Sequence, residues 1–254
     1  MKILIGLALI SIPMWAQHAI APPEVGFLVD SHANSYSVKG VAGNFVIGHA
    51  AGTGIISGAF SGSFRLLKSD SEIHVINQAG RIVARTDAPA GPALFAFSPD
   101  GSPAVVYFPK SKTLRIWDGR EFRPGPEFGE DVVAIRSVSA TLAEFTVQRG
   151  GELWMLRVDL RSGATVSQAA LPGIAAPVLM LSDGTLVYSN GHGVVLRRLD
   201  GSEKKIAAHL PAEFALSQMG SEWVQITDLA AGRLSALNVQ LGHEAYYLLP
   251  EVRQ

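Results

Sequence analysis

The sequence predicts an all-β protein of about six repeats of roughly 40 residues, closed as a propeller. Three observations predict it. The stretch from Phe95 to Phe122 reads as four short strands joined by turns, which is the content of one propeller blade. The stretch from Val178 to Ala207 repeats its turn chemistry, with 18 positions from Gly101 to Gly119 and 17 from Gly184 to Gly201. Finally, the candidate hairpin glycines Gly80, Gly119, Gly163, Gly201 and Gly242 are separated by 39, 44, 38 and 41 positions. A near-constant period is the mark of stacked or radially arranged units.

In chain order, the first 21 residues carry one Lys at position 2, an apolar run from Ile3 to Ala16, and the small-x-small triplet Ala19-Ile20-Ala21. This is the pattern of a secretory signal peptide cleaved after Ala21 or after Ala16. The run is shorter than the ~20 residues a spanning helix needs. Residues 22–254 then form a single domain, expected in the periplasm or outside the cell, with no transmembrane segment in the mature chain. Loss of Lys2 leaves 20 basic against 22 acidic residues, so no long-range field draws nucleic acid. The chain has no cysteine, which excludes disulfides, thiolate metal sites and a cysteine nucleophile.

Gly26 to Lys39 reads as a hairpin with its turn near Asn34. Gly48 to Gly62 is rich in glycine, yet lacks both the Gly-Lys-Ser/Thr ending and the following helix of a phosphate loop. Its small residues suit close strand approach near a ring axis or a loop of the first blade. Within the Phe95–Phe122 unit, Ser98-Pro99-Asp100-Gly101 supplies the first turn and Ala104 to Phe108 the β-branched and aromatic second strand. Leu114 to Trp117 alternates as the third, and Asp118-Gly119 closes the last hairpin. One helical turn, limited by Pro211, is expected between Leu210 and Phe214. Five four-strand units between Ala42 and Pro250 plus the first hairpin give twenty strands plus two. The alternatives are a five-bladed ring with an extra hairpin, or a β-sandwich.

"FSPDG" after the first strand and "IWDG" at the third resemble the blades of WD-repeat and Tol-type propellers, most clearly over residues 91 to 128 and partly over 174 to 207. The Gly-His dipeptide that helps pin true WD-repeat blades is missing from the expected positions, and Trp117-Asp118 alone supplies the name-giving pair. The whole is similar to the degenerate propellers of exported bacterial proteins. That resemblance implies architecture only, because functions differ among such folds.

No catalytic, cofactor-binding or metal-binding residue is assigned from the sequence, and no cofactor is expected. His32, His49, His74, His192, His209 and His243 form no i, i+2 or i, i+4 pair. Ser57 and Ser61 lack the glycine of a nucleophile elbow. Asp30, Asp100, Asp118, Asp183 and Asp200 sit at turns, where their carboxylates accept backbone hydrogen bonds. Glu127, Glu130 and Asp131 in "PEFGED" do not match a calcium loop and read as an inter-blade segment. Phe95, Phe97, Tyr107, Trp117, Trp154 and Trp223 are expected between blades. Tyr246-Tyr247 is either an edge-strand pair or a recognition patch. The function expected is a non-catalytic binding or assembly module that contacts a protein or glycan through a face or loops. Its rival is a lyase or hydrolase acting on a sugar or lactone in the central funnel. A polar axis with converging carboxylates, His or Arg would favour the enzyme, and an apolar or glycine-lined axis the binding module.

Overall fold

The computed structural model describes residues 22–251. The leader expected over residues 1–21 lies outside the described residues. Six antiparallel sheets follow one another along the chain, and the described residues contain no helix. The short turn expected between Leu210 and Phe214 is instead a loop that runs into a strand at Phe214. Among the described residues no helix is long and apolar enough to cross a membrane.

Blade 1 comprises β1 (Glu24–Val29), β2 (Asn34–Val41) and β3 (Asn44–Thr53). Blade 2 is β4 (Ser57–Phe60), β5 (Phe64–Lys68), β6 (Glu72–Asn77) and β7 (Ile82–Asp87). Blade 3 is β8 (Leu94–Phe97), β9 (Ala104–Phe108), β10 (Thr113–Trp117) and β11 (Phe122–Pro124). Blade 4 is β12 (Val132–Ser139), β13 (Leu142–Arg149), β14 (Glu152–Asp159) and β15 (Thr165–Ala170). Blade 5 is β16 (Val178–Met180), β17 (Leu186–Ser189), β18 (Gly193–Arg197) and β19 (Glu203–Ala207). Blade 6 is β20 (Phe214–Gln218), β21 (Trp223–Asp228), β22 (Leu234–Asn238) and β23 (Ala245–Leu248).

The six-unit ring with one incomplete blade is therefore the architecture. All five ruler glycines occupy the turn between the third and fourth strands of blades 2 to 6, each at positive φ. The matching turn of blade 1 contains Gly43, 37 positions before Gly80 and also at positive φ. The segment Asn44–Thr53, assigned from sequence to the first full unit, thus belongs to blade 1 as its outermost strand. The incomplete blade has three strands, which makes twenty plus three.

In blades 2 to 6 the innermost strand starts at one face of the ring, here called upper, and ends at the lower face. β1 runs the other way. Its first residues, Glu24 to Phe27, lie beside Phe60 at the end of β4 and Gly220 beyond the end of β20. Its last, with Asp30 and Ser31, lie beside Ile56 and Leu229 at the opposite face. Direction matches β1, β2 and β3 to the second, third and fourth strands of a regular blade. Leu28, Tyr36 and Val38 of blade 1 share one buried cluster with Trp223, Leu234 and Ala236 of blade 6. Among the described residues, blade 1 has no innermost strand. The neighbouring inner strands β4 and β20 approach each other across that position.

Removing a strand leaves the inner edge of β1 with unpaired peptide groups, which cost free energy unless another partner satisfies them. Two partners do. The Phe27 amide donates to the Met219 carbonyl at 2.8 Å. The carboxamide of Gln225, on β21, accepts from the Val29 amide at 3.1 Å and donates to the Val29 carbonyl at 2.7 Å. One side chain thereby replaces a peptide unit of the missing strand. Gly26 permits the approach, since a Cβ there would stand 1.8 Å from the Met219 carbonyl oxygen.

The core is divided among the seams between blades, as the sequence pattern of aromatic strand residues requires. Trp117 packs edge-on to Phe64 and Phe97 between blades 2 and 3. Tyr107 and Phe145 are buried between blades 3 and 4. Trp154 is packed against that cluster, and Phe95 against the one before it. Tyr247 packs on Phe45 and Trp223 where blade 6 meets blade 1, and the Tyr246 hydroxyl bonds that of Ser235. The tyrosine pair is therefore an edge-strand pair. The seam between blades 1 and 2 is thinnest, with a cluster of only Phe27, Ile55, Phe60 and Leu67 as its buried members.

Candidate functional site

A channel of about 530 Å³ runs along the axis. Val29, Gly58, Leu94, Val133, Leu179 and Leu216, one from each blade, line it. All six are half-buried, and none carries a titratable group. Of the polar residues that reach the channel, Ser57, Gln225, Asp30 and Asp228 are already engaged. Ser57 Oγ accepts from the Ala93 amide at 3.0 Å, and Gln225 is held by Val29 and Thr227. Asp30 Oδ1 accepts from the His32 and Asn34 amides, and its other oxygen is bonded by the Asn34 side chain and the Tyr36 hydroxyl. Burial raises the Asp30 carboxyl and these hydrogen bonds outweigh it, so its pKa lies below the ordinary value. Asp228 accepts from the Ala230 and Ala231 amides and meets Arg233 at 3.3 Å.

The turn aspartates behave as the sequence implies. Asp118, Asp183 and Asp200 accept backbone amides two or three residues on, and Ser98 Oγ donates to Asp100 at 2.5 Å. Asp159 makes the same turn with Arg161 and Ser162. In "PEFGED", Glu130 takes a two-pronged ion pair from Arg149, and Asp131 pairs with Lys112 at 2.7 Å. The Asp131 hydrogen bond raises the Lys112 ammonium above its usual value. These two carboxylates face cations supplied by the end of β13 and by the turn between β9 and β10.

The histidines do not converge into a cluster with other ligating groups among the described residues. His32 is exposed beside Asp30, and His74 bonds Glu72 at 2.9 Å on the same strand. Ser61 Oγ bonds the Phe64 backbone in the tight turn after β4. The glycine-rich stretch Gly48–Gly62 spans the end of β3, the crossing to blade 2 and β4, so its residues divide between the ring's rim and its axis.

Two features had no local signal in the sequence. Glu144, on β13, is buried between Arg136 and Arg157, and Arg136 Nε reaches across to the Ser182 carbonyl of blade 5 at 2.9 Å. The second is a cavity of about 380 Å³ at the lower face, where blades 1, 2 and 6 meet. Arg65 of β5 lies inside it with its guanidinium 3.6 Å from the centre of the Phe27 ring. Phe27 in turn stacks on Phe60 at 5.0 Å and 20°. The spacing of 38 positions between Phe27 and Arg65 hides this pairing from a linear reading.

No family model and no curated protein matches the chain. Among solved structures it is similar to TolB from Acinetobacter baumannii, with a TM-score of 0.60 and 15% identity over 89% of this chain and 63% of that one. It is also similar to a chain of a nidogen/laminin complex, at 0.58 and 13% over 88% and 93%. A third is the Cps50 (Swd1) β-propeller domain of Myceliophteria thermophila, at 0.50 and 12% over 92% and 88%. At these identities the likeness carries architecture, and the architecture is the propeller that the WD-like and Tol-like turn motifs imply.

Proposed function

We propose that this protein is an exported, non-catalytic binding or assembly module that holds a protein partner through one face of its ring. The apolar channel carries this reading. An enzyme of the funnel type gathers acids, bases or metal ligands from several inner strands. Here the six half-buried axial positions named above are apolar or glycine, and the nearby carboxylates are committed to turns. The solved propellers it resembles are consistent with a scaffold that presents broad faces to partners. The leader pattern over residues 1–21 fits a place outside the cytoplasm.

The test places a photo-crosslinking residue at exposed His192 on the upper face, or at exposed Ser63 on the lower. A discrete protein adduct in the envelope fraction from one face supports the reading. A carbohydrate adduct replaces the protein partner with a glycan. Turnover of an ester, lactone or uronate by the purified protein, abolished by substitution in the channel, overturns it. N-terminal sequencing should find the mature chain beginning at residue 17 or 22, and intact Met1 in the cytosol would refute export.

A further inference from the structure

The cavity at the lower face exists because blade 1 lacks an inner strand to fill the gap between β4 and β20. Its volume of about 380 Å³ lies within the range of ligand pockets, roughly 300–1,000 Å³. What distinguishes it is the state of Arg65. The side chain is only 24% exposed, and burial holds its pKa below the ordinary value. Among the described residues its sole ion-pair partner is Glu24, whose carboxylate is half-exposed and 3.5 Å away, too far for a good hydrogen bond. Among the described residues the guanidinium makes no hydrogen bond. A partly desolvated guanidinium with unspent donors is costly, and its planar fork matches a carboxylate. Stacking on Phe27 fixes its plane and leaves the in-plane donors free for a ligand.

The surroundings define the rest of the ligand. Phe60, the cross-strand partner of Arg65, gives aromatic surface beside the guanidinium, while Ser63, the Gly62 amide and Gln78, whose side-chain amide donates to the Gly62 carbonyl, give neutral hydrogen-bonding groups at the rim. We infer that this cavity binds the C-terminal carboxylate of an extended peptide whose last side chain is apolar. The carboxylate takes the Arg65 fork in place of Glu24, the last side chain lies against Phe60, and the preceding peptide groups meet the rim. The inference rests on the binding-module reading and names the chemistry of the partner.

The experiment measures binding of a fluorescent pentapeptide ending in Phe as the free acid, its C-terminal amide, and 3-phenylpropionate. The free acid should bind at least tenfold more tightly than the amide, since a charge-assisted bidentate contact is lost. Arg65→Met keeps the stem over Phe27 and should erase that difference without shifting the melting temperature. Glu24→Gln removes the competing carboxylate and should tighten binding of the acid. The Arg65 Nε–H and Gly62 amide resonances should move on titration. Equal binding of acid and amide, binding of neither at millimolar concentration, or discrimination that survives Arg65→Met overturns the inference. Binding of 3-phenylpropionate as tight as the peptide also overturns it, making this a small-acid site. In each failing case, a protein adduct from His192 leaves the binding-module reading standing.

Discussion

Replacing Gln225 by Met removes the carboxamide that stands in for the missing strand while keeping a side chain of similar length and volume. Gln225 is 3% exposed, and the change strips both the Val29 amide and the Val29 carbonyl of their partner. A buried backbone group left without a partner costs about 1–3 kcal/mol, so two groups set an upper limit of about 6. Two effects lower it. Val29 is half-buried at the channel wall, so water can reach the freed groups, and Met gains by being buried where an amide was. The expected loss is about 1–3 kcal/mol, equivalent to a drop in melting temperature of about 2–12 °C for a domain of this size. Urea denaturation gives the first number. Amide hydrogen exchange gives the decisive one: Val29 and Phe27 should lose protection while amides of blade 4 keep theirs. A loss below about 0.5 kcal/mol with unchanged exchange at Val29 would refute the view that this side chain substitutes for a strand.

Glu144→Gln leaves Arg136, whose side chain is 10% exposed, without its anionic partner, and should cost about 3–5 kcal/mol in chemical denaturation. A change under about 1 kcal/mol would mean that water already reaches the guanidinium. Asp30 has a depressed folded pKa, so its contribution is present above the unfolded carboxylate value of about 3.9 and disappears as pH falls through the folded value. Urea midpoints measured from pH 6 down to pH 2 should therefore fall less steeply in Asp30→Asn than in the wild type, and parallel curves would contradict this.

The parts of the fold legible in the sequence are those where one residue type answers one backbone demand. Each third-to-fourth-strand turn needs a positive φ, and Gly80, Gly119, Gly163, Gly201 and Gly242 supply it, so the period could be read directly. Ala104–Phe108 and Leu114–Trp117 coincide with β9 and nearly with β10 because alternation and flanking turns agree there. Blade 1 defeated the same reasoning. Its outermost strand runs through Gly48, Ala50, Ala51 and Gly52, which resemble a loop in composition, and its ladder is broken by bulges. The lack of an innermost strand is a matter of direction, and direction depends on which face the chain enters, which no local pattern encodes. The lower-face cavity was hidden for a related reason. Phe27, Phe60 and Arg65 come from two blades, and each alone reads as an ordinary strand residue.

Six similar blades around an axis would present a partner with nearly equivalent docking positions, each a sixth of a turn from the next. The three-stranded blade ends that equivalence. One sector of the lower face has a recess with an arginine in it, and the other five blades each have an inner strand at the matching position. A ligand seated on Arg65 is therefore held at one angular setting, so that the rest of its surface meets a defined set of loops rather than any of six.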